Sequence, residues 1–274
     1  MTYIETRDGT ELFIKDWGRG RPVILLHGWP LSADMWDAQA MALAEAGYRA
    51  IAYDRRGFGR SSQPWTGYDY DTLADDLADV ISATGAEDAT IVGFSMGGGE
   101  VARYMSRHGG AGVKSAALIS SVVPYMLQTS DNPNGVPQST FDEIGEGIEA
   151  DRPHFFRQIF FPQFFGAGYI TSPVSDEVIA ASTVTAMMAG LHPTLACAEA
   201  FSRTDFRPDL ASFRVPTLII HGTADKTVPI DTSARGAIKG ISGAKLIEYD
   251  GAPHGLNVTD SERLTRDLLE FVGG

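Results

Sequence analysis

Short apolar runs recur along the chain at 22–26, 49–53, 89–92, 113–120, 216–220 and 245–249. Most keep apolar residues at consecutive rather than alternate positions, the pattern of strands covered on both faces rather than one. Between them lie stretches at helical period: 33–46, closed by Gly47; 71–84, with apolar residues at 73, 77, 80 and 81; and Val101-Ala102-Arg103-Tyr104-Met105. This alternation predicts an α/β fold, a mostly parallel sheet with helices on both faces. Ahead of it, residues 2–7 and 11–17 flank Asp8-Gly9, a hairpin turn signal.

The rhythm breaks at Pro124. Residues 124–209 open with turn-rich Asp131-Asn132-Pro133-Asn134-Gly135 and continue with helical patterns and few strand signals. The expected organisation is a core formed by 1–123 and 210–274, with 124–209 inserted as a small helical cap over the carboxyl edge of the sheet. Six phenylalanines, at 155, 156, 160, 161, 164 and 165, crowd into eleven positions of that cap. A cap this small lacks the bulk to bury them all, so some are expected to line a pocket. Phe160 and Phe164 share a helical face and are expected substrate contacts, together with Trp29 and Pro30 of the loop after the run 22–26.

The chemistry is concentrated at Gly93-Phe94-Ser95-Met96-Gly97, which follows a β-branched strand and precedes a helix. A serine hydroxyl is a poor nucleophile until it is exposed and its proton is taken. Glycines on both sides leave room for a strained strand-to-helix turn that presents the serine oxygen at a strand's carboxyl end. In such folds the partners follow in the order acid, then histidine. Asp225 stands just past the run 216–220, and His254 stands past the run 245–249, in Gly251-Ala252-Pro253-His254-Gly255. Both therefore fall at the edge where parallel sheets bind ligands. Asp225 is expected to orient His254, which would relay the Ser95 proton. The expected oxyanion donors are the backbone N–H of Met96, at the start of a helix, and that of Trp29, in His27-Gly28-Trp29-Pro30 after the run 22–26. His27 is read as holding its loop by hydrogen bonds, outside the triad.

Composition narrows the function more than it names it. Of 274 residues, 43% are apolar and 21% charged, ordinary for a globular enzyme. Thirty-five acidic against 22 basic residues leave a net charge of −13, which argues against a nucleic-acid partner or an anionic membrane. One cysteine, Cys197, excludes an internal disulfide, and its Ala-rich helical setting reads as a small buried hydrophobe. The six histidines are scattered without zinc-ligand spacing, so no metal site is expected. No basic segment leads into an apolar one near the amino terminus, and no run approaches 18 apolar residues. The expected compartment is the cytoplasm, with no membrane contact.

These motifs, together with Asp54-Arg55-Arg56-Gly57-Phe58-Gly59-Arg60-Ser61, Trp65-Thr66-Gly67-Tyr68-Asp69-Tyr70-Asp71 and Thr204-Asp205-Phe206-Arg207-Pro208, resemble the α/β-hydrolase superfamily. More narrowly, the chain resembles the cofactor-free bacterial haloperoxidases, or perhydrolases, and the related aryl esterases and γ-lactamases. The resemblance covers essentially the whole chain. It implies a triad of Ser95, Asp225 and His254, donors at Trp29 and Met96, and hydrolysis of a small ester through an acyl-enzyme. It further implies that hydrogen peroxide can replace water, releasing a peroxyacid that oxidises halide without a cofactor, and it hints at a homo-oligomer. Pro30 resembles the perhydrolase form of its loop. A proline restricts the residue before it to extended geometry, fixing the direction of the Trp29 carbonyl, which could accept a hydrogen bond from hydroperoxide. The other reading is that Pro30 only stiffens a loop. Two rival functions stay open: a γ-lactamase or other amidase using the same triad, and a small-molecule receptor in which turnover is incidental. Relatives that open epoxides or haloalkanes use an aspartate where this chain has Ser95.

Overall fold

The computed structural model describes residues 2–167 and 173–274. Eight strands form one sheet: β1 (Thr2–Glu5), β2 (Glu11–Gly18), β3 (Pro22–Leu26), β4 (Arg49–Tyr53), β5 (Ala89–Phe94), β6 (Val113–Ile119), β7 (Thr217–Gly222) and β8 (Lys245–Tyr249). Their order is β1-β2-β4-β3-β5-β6-β7-β8; β2 runs antiparallel to both of its neighbours, and β3 to β8 are parallel. The hairpin closes through Thr6 and Thr10, with Gly9 at φ 83° as its turn residue. Every residue of β3, β5 and β7 is buried, as two-sided covering requires.

The helices of the core are α1 (Asp37–Glu45), α2 (Tyr70–Thr84) and α3 (Met96–Arg107). The α1 crossover leads from β3 toward one edge of the sheet, whereas those of α2 and α3 lead the other way. Right-handed crossovers therefore put α1 on one face and α2 with α3 on the other. The chain thus diverges between β3 and β5, and their carboxyl ends frame the crevice where open α/β sheets bind ligands. The Asp69 side chain accepts from the Thr72 N–H to start α2, and Gly85, at φ 61°, ends it. The helix expected over 33–46 begins instead as a 3-10 turn, Ala33–Trp36, because Ser32 caps a tight turn at Asp34.

Between β6 and β7 come α4 (Gln138–His154), a π-helical turn (Phe155–Phe160), α5 (Phe161–Phe164), α6 (Asp176–Met188) and α7 (Leu191–Arg203). Residues 168–172 of the expected cap lie outside the described residues. The break before the phenylalanines has a local cause: Pro153 cannot donate within the helix, and Asp151 leaves helical geometry at φ −157°, ψ 84°. The chain ends with α8 (Ala234–Gly240), α9 (Leu256–Thr259) and α10 (Ser261–Gly273), the last packing on α1. Among the described residues no single helix is long and apolar enough to cross a membrane.

The strand-to-helix junction is packed backbone against backbone. A Cβ on Gly93 would lie 2.4 Å from the Gly97 carbonyl oxygen, and one on Gly97 would lie 2.7 Å from that of Leu26. Backbone atoms cannot swing away as a flexible side chain can. Gly97→Ala is therefore expected to destabilise the fold by about 1–3 kcal/mol, the range for overpacking. Gly145→Ala, in α4 with nothing within 4 Å of the added carbon, is expected to stabilise by about 0.5–1 kcal/mol. Urea unfolding of both variants checks the opposite signs.

Candidate active site

Ser95 sits between β5 and α3 with φ 53° and ψ −116°, a region non-glycine residues rarely occupy. Its backbone is pinned on both sides. The N–H donates to Ile119 O at 2.8 Å, and the carbonyl accepts from Gly98 N–H at 3.0 Å and Val122 N–H at 3.3 Å. These bonds hold the strained turn and leave the hydroxyl directed to the crevice. The loop after β3 presses against it: a Cβ on Gly28 would come within 3.1 Å of the Ser95 Cβ. The amide of Met96 is first in α3, where no intrahelical acceptor exists, and Trp29 lines the same cavity as Ser95.

The loops after β7 and β8 bring the other two residues. Ser95 Oγ lies 3.0 Å from His254 Nε2, and Asp225 Oδ2 lies 2.6 Å from His254 Nδ1. The carboxylate can only accept, so Nδ1 carries the proton and Nε2 is free to receive that of Ser95. Asp225 is saturated with donors: Oδ1 accepts from the Thr227 N–H at 2.9 Å and the Val228 N–H at 2.8 Å. Burial alone would raise its pKa, but His254 facing it and the hydrogen bonds of His221 and His254 hold it down to about 2. It is an anion at neutral pH.

His221 is a residue the motif reading passed over. It is fully buried, its Nε2–H donates to Val228 O at 2.8 Å, and the same nitrogen lies 3.1 Å from Asp225 Oδ2. Two histidines thus flank one carboxylate oxygen. Its place four residues before Asp225 was the available signal. His27, as expected, holds its loop, contacting Gly28 O and Arg55 N–H at 2.9 Å each.

Ser95 opens on a cavity of about 300 Å³ whose walls are largely apolar, among them Met126, Ile144, Phe155, Phe160, Phe201 and Val228. Trp29 forms one side, its indole N–H donating to Thr194 O in α7 at 2.9 Å. Phe160 lines the cavity, as expected; Phe164 does not. The Phe164 ring does pack beside that of Phe160, 5.6 Å away, but lies deeper, fully buried 4.8 Å edge-on to the His254 imidazole and 6.1 Å from Phe94. It is therefore a wall behind the histidine and not a substrate contact. Pro30 is also buried and outside the cavity lining; its peptide bond with Trp29 is cis. Cys197 is buried, and burial pushes its thiol up to about 12, so it is no nucleophile.

The family model of the alpha/beta hydrolase fold matches residues 21–164. The chain is 44% identical, over 99% of both chains, to the non-heme chloroperoxidase CPO-A1 of Kitasatospora aureofaciens. It is 42% identical, again over 99% of each, to the bifunctional esterase/perhydrolase DCH of Acinetobacter calcoaceticus. Among solved structures, the bromoperoxidase from Bacillus anthracis superposes with a TM-score of 0.95, at 42% identity and over the full length of both chains. A hydrogen-bonded chain of Ser95, His254 and Asp225 at the carboxyl edge of an eight-stranded sheet, the family match and these full-length relatives agree: the chain belongs to the α/β-hydrolase superfamily.

Proposed function

We propose that this protein is a serine hydrolase of carboxylic esters that also forms peroxyacids, the activities named for its relatives as esterase, perhydrolase and haloperoxidase. One observation carries the reading. Ser95, His254 and Asp225 form a continuous chain of 3.0 Å and 2.6 Å contacts at the floor of a largely apolar cavity. His254 Nε2 takes the Ser95 proton as Oγ attacks the ester carbonyl, and Asp225 stabilises the imidazolium. The Trp29 and Met96 amides receive the carbonyl oxygen as it becomes negative. His254 then protonates the leaving alcohol, and an acyl-enzyme remains.

In the second half His254 deprotonates the incoming nucleophile. Water gives the carboxylic acid. Hydrogen peroxide gives the peroxyacid, with Ser95 restored in both cases. The peroxyacid then transfers its terminal oxygen to halide in solution, yielding hypohalite and the carboxylic acid, so the enzyme needs only an acyl donor and peroxide. In this reading segment 124–209 serves as a cap that shapes an apolar acyl site, with Trp29 and Phe160 as substrate contacts. The reading also includes a cytoplasmic, homo-oligomeric protein, the latter suggested by the likeness to the haloperoxidases.

Ser95→Ala is expected to abolish ester turnover and labelling by a serine-directed phosphonate while leaving the fold intact; residual turnover within tenfold of wild type contradicts the assignment. Asp225→Asn keeps the shape but fixes the wrong tautomer of His254, and kcat should fall roughly 10⁴-fold.

Halogenation, followed by bromination of a dye, should require an added carboxylic acid or ester and should survive a chelator. Activity in acyl-free buffer, or its loss on chelation, argues against the peroxyacid route.

The two nucleophiles share the triad and both amides, so we assign their discrimination to the Trp29 carbonyl, held by Pro30. Pro30→Leu should lower perhydrolysis more than hydrolysis, shifting their ratio roughly threefold to tenfold, the effect of one neutral hydrogen bond. An unchanged ratio in paired assays reduces Pro30 to a loop stiffener.

A further inference from the structure

We infer that Arg55, anchored by Glu100, is a positioning residue for the oxyanion site, aiming the Trp29 amide through the ring of His27. The inference rests on the reading of Trp29 as an oxyanion donor and adds what points that donor. Arg55 belongs to the loop after β4, far in sequence from either donor, and its side chain is 1% exposed.

A buried guanidinium needs compensation for its lost hydration. Its Nε donates to Glu100 Oε1 at 2.6 Å and Nη2 reaches the same oxygen; Glu100 Oε2 accepts from the Tyr53 hydroxyl at 3.1 Å. Glu100 lies one turn along α3 from Met96, so the pair is fixed to the helix that carries the second donor. The other hydrogen bonds that Arg55 donates go to His27. Arg55 Nη2 donates to the His27 carbonyl at 2.6 Å, and the Arg55 backbone N–H donates to His27 Nε2 at 2.9 Å.

That last bond selects the tautomer. A backbone N–H can only donate, so Nε2 must be bare and the proton of the neutral ring sits on Nδ1. Burial, then the charge of Arg55, push the His27 pKa well below the usual range, which keeps the ring neutral. Nδ1–H is therefore a donor, and it meets Gly28 O at 2.9 Å, with Arg55 Nη1 a 3.3 Å neighbour rather than a partner. Gly28 O and the Trp29 N–H are opposite edges of one planar trans peptide. Holding the oxygen aims the N–H. Leu31 N–H also donates to Gly28 O at 2.9 Å, so the experiment must separate the turn from the relay.

Two substitutions do so. The amide of Gln reaches the Nε2 position and can accept from Arg55 but leaves Gly28 O without its donor. The amide of Asn reaches the Nδ1 position and restores that donor. The probe is the rate at which a serine-directed phosphonate labels Ser95, since its phosphoryl oxygen occupies the oxyanion site whatever the natural substrate. His27→Gln should slow labelling and kcat roughly 10- to 100-fold, less than or comparable to losing a whole donor, with KM within about threefold of wild type. His27→Asn should recover at least about tenfold of that labelling loss. Equal rates in the two variants, or a slower Asn variant, overturn the inference. Should either fail to fold, Arg55→Lys tests it independently. Lysine keeps the charge beside Glu100 but cannot bridge it to the His27 carbonyl, so labelling should slow about tenfold at unchanged KM, and a wild-type rate overturns the inference. A wild-type protein that the phosphonate does not label overturns the Ser95 reading itself. Labelling of wild type and variants at equal rates overturns only the relay.

Discussion

Much of this molecule follows from one crossing of backbone on backbone. For Ser95 to stand at φ 53° with its oxygen in the crevice, the start of α3 must fold back against the end of β5. The approach is so close that Gly93 meets the Gly97 carbonyl and Gly97 meets the Leu26 carbonyl, with no space for a methyl group at either. That contact also sets where the loop after β3 can lie. Gly28 passes against both Phe94 and Ser95, which brings the Trp29 segment beside the hydroxyl. A strained residue persists only where its surroundings over-determine it. Here three backbone hydrogen bonds to Ser95, from β6 and its following loop and from α3, provide that constraint.

The loop after β4 supplies a second constraint, made of charge. Three consecutive ionisable residues, Asp54, Arg55 and Arg56, are each almost fully buried, and each ties a different segment. Asp54 accepts from Ala33 N–H at 2.8 Å and from Arg60. Arg55 spans β3's loop and α3, while Arg56 joins Asp76 in α2 to Asp8 in the first hairpin. Buried ion pairs are weak contributors to stability, because desolvation offsets most of their attraction. At Asp76 the offset is visible: burial outweighs the Arg56 bonds and pushes its pKa up to about 6. Apolar residues of similar volume would stabilise such positions as well or better, but they could not direct a neighbouring carbonyl or choose a tautomer. Orientation is the use to which these charges are suited.

What the sequence revealed and what it concealed divide along the same line. The triad was legible because each member depends on local signals: a glycine-flanked serine, and an acid and a histidine at strand ends. The mostly parallel sheet was legible in kind, since short apolar runs alternating with helical stretches have few other uses, but the order of its strands was not. The cavity walls were not. Met126, Ile144, Phe201 and Val228 come from four separate segments, and nothing local marks them. Phe164 misled for a reason of depth: it shares a face with Phe160, as the i,i+4 relation requires, but its ring is fully buried against His254 and Phe94, and spacing along one helix does not tell which ring meets a cavity. His221 stood in plain view beside Asp225, but a buried histidine at a strand end announces no function until its partner is seen.

Phe164 ties the segment between β6 and β7 to the histidine loop. Its carbonyl accepts the Gly255 N–H at 2.9 Å and its ring stands over the His254 imidazole, so α5 braces the histidine loop directly. A Cβ on Gly255 would collide with Phe165 at 2.5 Å, which leaves that loop little freedom beneath the cap. On the opposite side α7 holds the Trp29 indole through Thr194 O. The helical segment between β6 and β7 therefore touches both sides of the candidate site, the His254 loop through α5 and the Trp29 loop through α7. An apolar wall against the imidazole also excludes water from its face, which strengthens the Asp225 interaction by lowering the local dielectric. Under the proposed function, substitutions in this segment are not confined to substrate choice: those facing the cavity, such as Phe160, change its shape, and those facing down, such as Phe164, change how His254 is held and so act on the chemistry common to every substrate.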